Sequence, residues 1–144
     1  MTVQYGGNPT RVLIGDRPGP ARSALASLLA GLPDVAVVGA AGGETLTRAV
    51  NELHPDVVVV DDRVLDCFDR ASERRVRLIV VGADDAPGYA ERAARAHAVA
   101  WLPKECAGER LADAVYTARR SLSRPTPPDP GEPAPERRAP GAVP

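Results

Sequence analysis

The segment PDVVVVDDR, residues 55–63, decides the fold. Val57 to Val60 form a run with no polar position, and two acids, Asp61 and Asp62, follow at once. A strand with one wet face alternates apolar and polar residues, whereas a strand covered on both faces of a parallel sheet reads as an unbroken apolar run. The four valines are therefore expected to form a central parallel strand. In a doubly wound sheet the functional crevice lies beyond the carboxyl ends of the strands. Asp61 stands at such an end, where a carboxylate has a use.

Outward from this run the pattern alternates. Four more short apolar runs read as strands: Val12-Leu13-Ile14, Val35 to Val38, Leu78 to Val81 and Ala98 to Leu102. Their Val and Ile content suits strands. Between them lie helical faces: Leu25, Leu28 and Leu29; Leu46, Val50 and Leu53; an alanine-rich stretch from Ala90 to Ala96; and Leu111, Val115 and Ala118. Strand–helix repeats of this length imply right-handed crossovers and an α/β, doubly wound parallel sheet. If the first and third strands are neighbours, Asp16, after the first, meets Asp61 at the same edge. Two carboxylates converging at a half-buried rim repel unless a cation stands between them, so a metal ion or basic side chain is expected close by.

Composition sets the outer limits. The chain has 144 residues, which suits one domain. With one Trp, one Phe and three Tyr, the core must be aliphatic. Eighteen basic residues face nineteen acidic ones, for a net charge of −1. That balance offers no electrostatic footprint for nucleic acid or an anionic membrane. No apolar run approaches the roughly 20 residues of a membrane span, and the N-terminal MTVQYGGNPTR lacks a signal-type apolar region. Cys67 and Cys106 form no metal-type motif and read as reduced thiols. The expected location is the cytoplasm. Residues 1–10 read as a flexible N-terminus and 11–121 as the folded domain. Residues 122–144, which hold more than half of the fifteen prolines, read as a disordered tail or linker.

The segments RVLIGD (11–16), LPDVAVVGAAGG (32–43), LHPDVVVVDDR (53–63) and AVAWLPKE (98–105) together resemble the receiver domain of bacterial two-component response regulators, the CheY-like family. The likeness is nearest to the branch whose receivers precede a LuxR-type DNA-binding domain, and it runs from about Arg11 to Ser121. It implies a flavodoxin-like, five-stranded sheet of order 2-1-3-4-5. It implies that Asp61 is the phosphoacceptor and that Asp16 belongs to the acidic pair that holds Mg²⁺, with the backbone carbonyl of Arg63 as a further metal ligand. It also implies that Lys104 contacts the acceptor or phosphoryl oxygens and that Trp101 is the rotating aromatic of the fifth strand. Carboxylate attack on a phosphoryl group asks mainly for positioning and charge neutralisation. Mg²⁺ takes carboxylate, carbonyl and water oxygens.

Three departures from that pattern alter the expectation. The second acid of the pair is replaced by Arg17, and a guanidinium has no lone pair for a metal. Arg17 is expected instead to place its charge beside Asp16 or Asp61. Asp62 is either a substitute carboxylate of the rim or a solvated loop acid. Counting back from Lys104 by the family's spacing reaches Gly82, where the family has the Ser or Thr that reads the phosphoryl group. The chain from Asp61 to the fourth strand, DDRVLDCFDRASERR, is shorter than the family's by roughly two helical turns, so a shortened third helix is expected.

The other candidates read as structural. GAAGGE (39–44) has neither a phosphate-loop Lys nor the dinucleotide spacing, and is taken as a connecting turn. His54 is expected to cap a helix end or to be solvated, His97 to open the fifth strand, and Arg74, Arg75 and Arg77 to form a solvated face.

The expected function is a degenerate receiver. It is not an enzyme, needs no cofactor, and signals through protein contacts or a homodimer rather than by phosphorylation. The first alternative is an ordinary receiver phosphorylated on Asp61 with Mg²⁺ by a histidine kinase. The second is the receiver part of a LuxR-type transcriptional regulator whose DNA-binding domain is absent from this chain, so that direct nucleic-acid binding is not expected.

Overall fold

The computed structural model describes residues 8–68, 76–82, 91, 94–95 and 97–121. Its elements run β1 (Thr10–Gly15), α1 (Pro20–Ala30), β2 (Val35–Ala41), α2 (Gly43–Leu53), β3 (Val57–Asp61), α3 (Asp62–Leu65), β4 (Arg77–Gly82), β5 (Ala100–Pro103), a short 3-10 turn (Lys104–Cys106) and α4 (Ala107–Ser121). All strand pairings are parallel, and the order is β2-β1-β3-β4-β5. This is the expected doubly wound sheet. The expected tail (122–144), most of the N-terminal segment and most of the alanine-rich fourth helical stretch lie outside the described residues.

The strand period of two divides one apolar run between two cores. Val58 and Val60 join Leu13, Leu78 and Val80 beneath Leu46 and Val50 of α2 and Val64, Leu65 and Phe68 of the α3 region. Val57 and Val59 join Val12, Ile14, Ile79 and Val81 beneath Leu25 and Leu29 of α1 and Leu111, Val115 and Ala118 of α4. Every residue of β3 is buried, which is why its sequence has no polar position before Asp61. Fully burying one such aliphatic side chain stabilises by about 1.5–3 kcal/mol, and β3 does so on both sides of the sheet.

Several local expectations need adjustment. Leu28 is 42% exposed, because α1 meets the sheet through the one-turn-apart pair Leu25 and Leu29, and Leu28 falls on the flank. Thr10 is buried and already in β1, so the strand starts inside the segment expected to be flexible. Gly39 to Ala41 continue β2 and do not form a turn; a register shift between Val12 and Leu13 brings Gly39 opposite Leu13. A Cβ at Gly39 would stand 3.0 Å from Leu53 Cδ1, so a larger residue there would require the Leu53 side chain to shift. His97 lies before β5 in a left-handed turn (φ 55°) and does not open the strand. His54 caps α2 from the left-handed region, its N–H bonded to Val50 O. Arg77 is no solvated arginine: it starts β4, and its Nε and Nη2 donate to Oγ (2.9 Å) and O (3.1 Å) of Ser121. α3 has four residues, in keeping with the short connection read from the sequence.

Candidate functional site at the carboxyl edge of the sheet

Register builds the site. Gly15 pairs with Val60, so Asp16 and Asp61 occupy the next level of two adjacent strands. Asp61 pairs with Val81 and Gly82 with Pro103, which brings the start of the Lys104 turn to the same edge. The backbone N–H of Asp16 donates to Ala41 O at 3.0 Å, pinning this residue to the end of β2. Gly15 lets α2 lie close: a Cβ there would be 3.0 Å from Leu46 Cδ2 and 3.1 Å from Val60 Cγ2.

Three acids are buried at this rim. Asp16 is 2%, Asp61 3% and Asp62 6% exposed. Asp62 is thus no solvated loop acid; it opens α3. Asp61 is the N-cap of that helix, its Oδ1 accepting the Arg63 N–H at 2.8 Å, as capping side chains do. The same oxygen accepts from Arg63 Nε at 3.1 Å. The other oxygen, Oδ2, lies 3.2 Å from Lys104 Nζ. Burial pushes the Asp61 carboxyl up, but the Arg63 bonds and then Lys104 outweigh it and hold the group below the ordinary carboxylate value. Asp61, and more weakly Asp16 and Asp62, hold the Arg63 guanidinium above its already high ordinary value.

Asp16 is less well served. Its Oδ1 accepts the Arg17 N–H at 2.7 Å. Its Oδ2 is buried and has no hydrogen-bond partner among the described residues. The expected Arg17 guanidinium does not fill this need. Its side chain is exposed, and Arg17 meets Asp16 only through its backbone. The guanidinium at the rim belongs to Arg63, whose backbone alone figured in the sequence reading. One signal for it was available: Arg63 stands two residues after a strand-end acid that also precedes a helix. N-capping turns that acid back onto the second residue of the helix, within reach of its side chain.

The remaining expected residues take up the edge. Gly82 ends β4 and is buried, with no hydroxyl to offer. Trp101 lies on the edge strand β5, paired with Val80, and is 44% exposed. Octahedral Mg²⁺ needs several oxygens at about 2.0–2.1 Å. Here both oxygens of Asp61 are already engaged by organic cations, and among the described residues no group of three His, Cys, Asp or Glu side chains has metal-holding geometry. As arranged, the donor set does not fit the metal that the resemblance implies.

No family model and no curated protein matches the chain. Solved structures do. The signal receiver domain of NarL from Mycobacterium tuberculosis superposes with a TM-score of 0.66 at 24% identity, over 78% of this chain and 98% of that one. A LuxR-family DNA-binding response regulator from Staphylococcus aureus gives 0.64 at 23%, over 76% and 98%. The response regulator domain of CheB from Thermotoga maritima gives 0.65 at 22%, over 83% and 100%. The chain has the fold of response-regulator receiver domains.

Proposed function

We propose that this chain is an atypical receiver module of a two-component-type response regulator, signalling through protein contacts or dimerisation largely without phosphorylation. One observation carries the reading: both oxygens of Asp61, the phosphoacceptor equivalent, are held in charge-assisted contacts, by Arg63 on one side and Lys104 on the other. A carboxylate attacks phosphorus through a lone pair, and each Asp61 oxygen already shares its charge with a cation, which weakens it as a nucleophile. Two absences in the sequence act in the same direction. Arg17 stands where a second metal-binding acid belongs, and Gly82 stands where a hydroxyl would read the phosphoryl group.

The module acts in the cytoplasm as a binding element with no turnover of its own, and its natural contacts are other proteins. Partial exposure of Trp101 on the edge strand β5 supports that edge as the output surface. The LuxR-family regulators among the structural neighbours support a role in transcription control through a DNA-binding domain supplied elsewhere.

The ordinary phosphoacceptor reading has one observation in its favour. Lys104 already sits 3.2 Å from Asp61 and could follow the charge onto a phosphoryl group delivered by a histidine kinase. Incubation with acetyl phosphate and Mg²⁺, followed by intact mass measurement, separates the two. The proposal expects no stoichiometric adduct. A stoichiometric, base-labile phosphoryl adduct that disappears in Asp61→Asn would establish the ordinary receiver instead.

A further inference from the structure

We propose that the Arg63 guanidinium is the resident cation on the Oδ1 side of Asp61 in the acidic rim, and that its pairing with Asp61 and entry of a divalent metal are mutually exclusive. This inference rests on reading the rim as a receiver-type acidic site, but it concerns what fills that site and not whether phosphate is transferred.

The geometry is local and specific. Arg63 reaches one oxygen of Asp61 twice, through its backbone N–H at 2.8 Å and through Nε at 3.1 Å. The backbone bond fixes the oxygen, and the side chain then closes over it. A metal taking the same Oδ1 at about 2.0–2.1 Å would face a guanidinium on that atom, and two cations sharing one oxygen repel each other. Asp16 marks what the arrangement leaves undone. Its Oδ2 is buried, has no hydrogen-bond partner among the described residues, and lies at the level of Asp61 across β1 and β3. An orphaned buried carboxylate oxygen is costly and calls for a cation. Arg63 supplies charge from nearby, yet its bonds go to Asp61. A divalent ion could serve both acids once Arg63 has left. Departure is sterically open, because the Arg63 side chain is 53% exposed while that of Asp61 is 4% exposed. The acid is fixed and the cation can leave, which is the arrangement of a tethered counter-ion.

The test is Mn²⁺ binding, read by loss of the free-ion electron paramagnetic resonance signal and by calorimetry, on wild type, Arg63→Gln, Arg63→Lys and Arg63→Gln/Asp16→Asn. Circular dichroism and urea unfolding check that each variant folds. Arg63→Gln should bind Mn²⁺ roughly tenfold or more tightly than wild type, because a competing positive charge has been removed from Oδ1. Arg63→Lys, which keeps a tethered charge, should stay near wild type, and the double variant should lose the gain. Equal Mn²⁺ affinity in wild type and a folded Arg63→Gln would overturn the inference, whether both bind or neither does. So would a gain that survives Asp16→Asn. The ratio of affinities reports on Arg63 whether or not wild type accepts a phosphoryl group, so failure here and failure of the functional reading are distinguishable.

Discussion

The two ends of the sheet use the same chemical groups to opposite purpose. At the amino ends of β1, β3 and β4, polar groups meet complementary partners in exposed or half-buried surroundings. The Arg11 N–H donates to Asp56 Oδ2 at 2.9 Å, the Arg11 guanidinium reaches the carbonyls of Leu53 and His54 at the end of α2, and Arg77 ties β4 to the last residue of α4. At the carboxyl ends, three acids are buried together, and Oδ2 of Asp16 has no hydrogen-bond partner among the described residues. Cations at the C-terminus of a helix are ordinary stabilisation. Buried carboxylates of like sign are a cost that a fold tolerates for a reason other than stability. The contrast marks the carboxyl edge as the candidate functional end without reference to any relative.

The sharpest way to break that contrast is to disturb the scaffold that places the acids. Gly15→Val puts atoms where Leu46 and Val60 already stand, at 3.0 and 3.1 Å from the first new carbon. Overpacking of this kind costs about 1–3 kcal/mol. The displaced residue adjoins Asp16, so the loss should appear both as a lowered urea midpoint and as altered Mn²⁺ affinity in an Arg63→Gln background. A midpoint unchanged from wild type would mean that α2 and β1 are less closely packed than their contacts indicate.

A paired substitution sharpens the comparison at about half that size. Asp16→Asn keeps the oxygen that accepts the Arg17 N–H and replaces the unpartnered buried oxygen with a neutral amide nitrogen, removing the charge. It should stabilise the fold by roughly 1 kcal/mol. Asp56→Ala removes the acceptor of the Arg11 N–H in an accessible setting and should destabilise by about 0.5–1.5 kcal/mol. Two acids one strand apart, each truncated conservatively, are thus expected to move urea midpoints in opposite directions. Matching signs would mean that the rim acids hold the fold together as the other end does.

These two ends also differ in how far the sequence discloses them. The sheet was legible because burial on both faces leaves an unambiguous mark, the uninterrupted Val57–Val60 run, and because strand-end acids at Asp16 and Asp61 lie where parallel register must bring them level. Helix faces were legible to within one residue. Leu28 has the spacing of a core position but lies off the line joining Leu25 and Leu29, and composition cannot tell a stripe from its flank. The identity of the rim cation was not legible by adjacency. Arg17 is next to Asp16 in sequence, but adjacent residues diverge in space once the strand ends. Arg63 reaches Asp61 because a helix cap folds the chain back on itself. Local backbone geometry, unlike periodicity, leaves only a weak imprint on residue types.

The smallest expected effect is the most diagnostic, because it isolates charge from packing. Asp61 titrates below the ordinary carboxyl value of 3.8 in the folded chain, since the bonds from Arg63 and the approach of Lys104 outweigh its burial. A group whose folded value is depressed contributes stability that is fully present above its unfolded value and is lost as pH falls through the folded one. Urea midpoints taken from neutral pH downward should therefore hold level and then decline in the acid range below about pH 4, with Asp61 supplying one part of that decline. Asp61→Asn removes that part. Arg63→Gln acts through the same acid with opposite consequence. With the side-chain partner gone, burial is opposed only by the backbone N–H of residue 63 and by Lys104, the folded value rises, and the stability that Asp61 contributes shrinks. Arg77→Ala is the comparison from the other end: it lowers the midpoint by breaking the bonds to Ser121. Were Arg63→Gln to shift the whole profile evenly, the Arg63–Asp61 contact would be packing and not charge, and the two ends of the sheet would differ in burial alone.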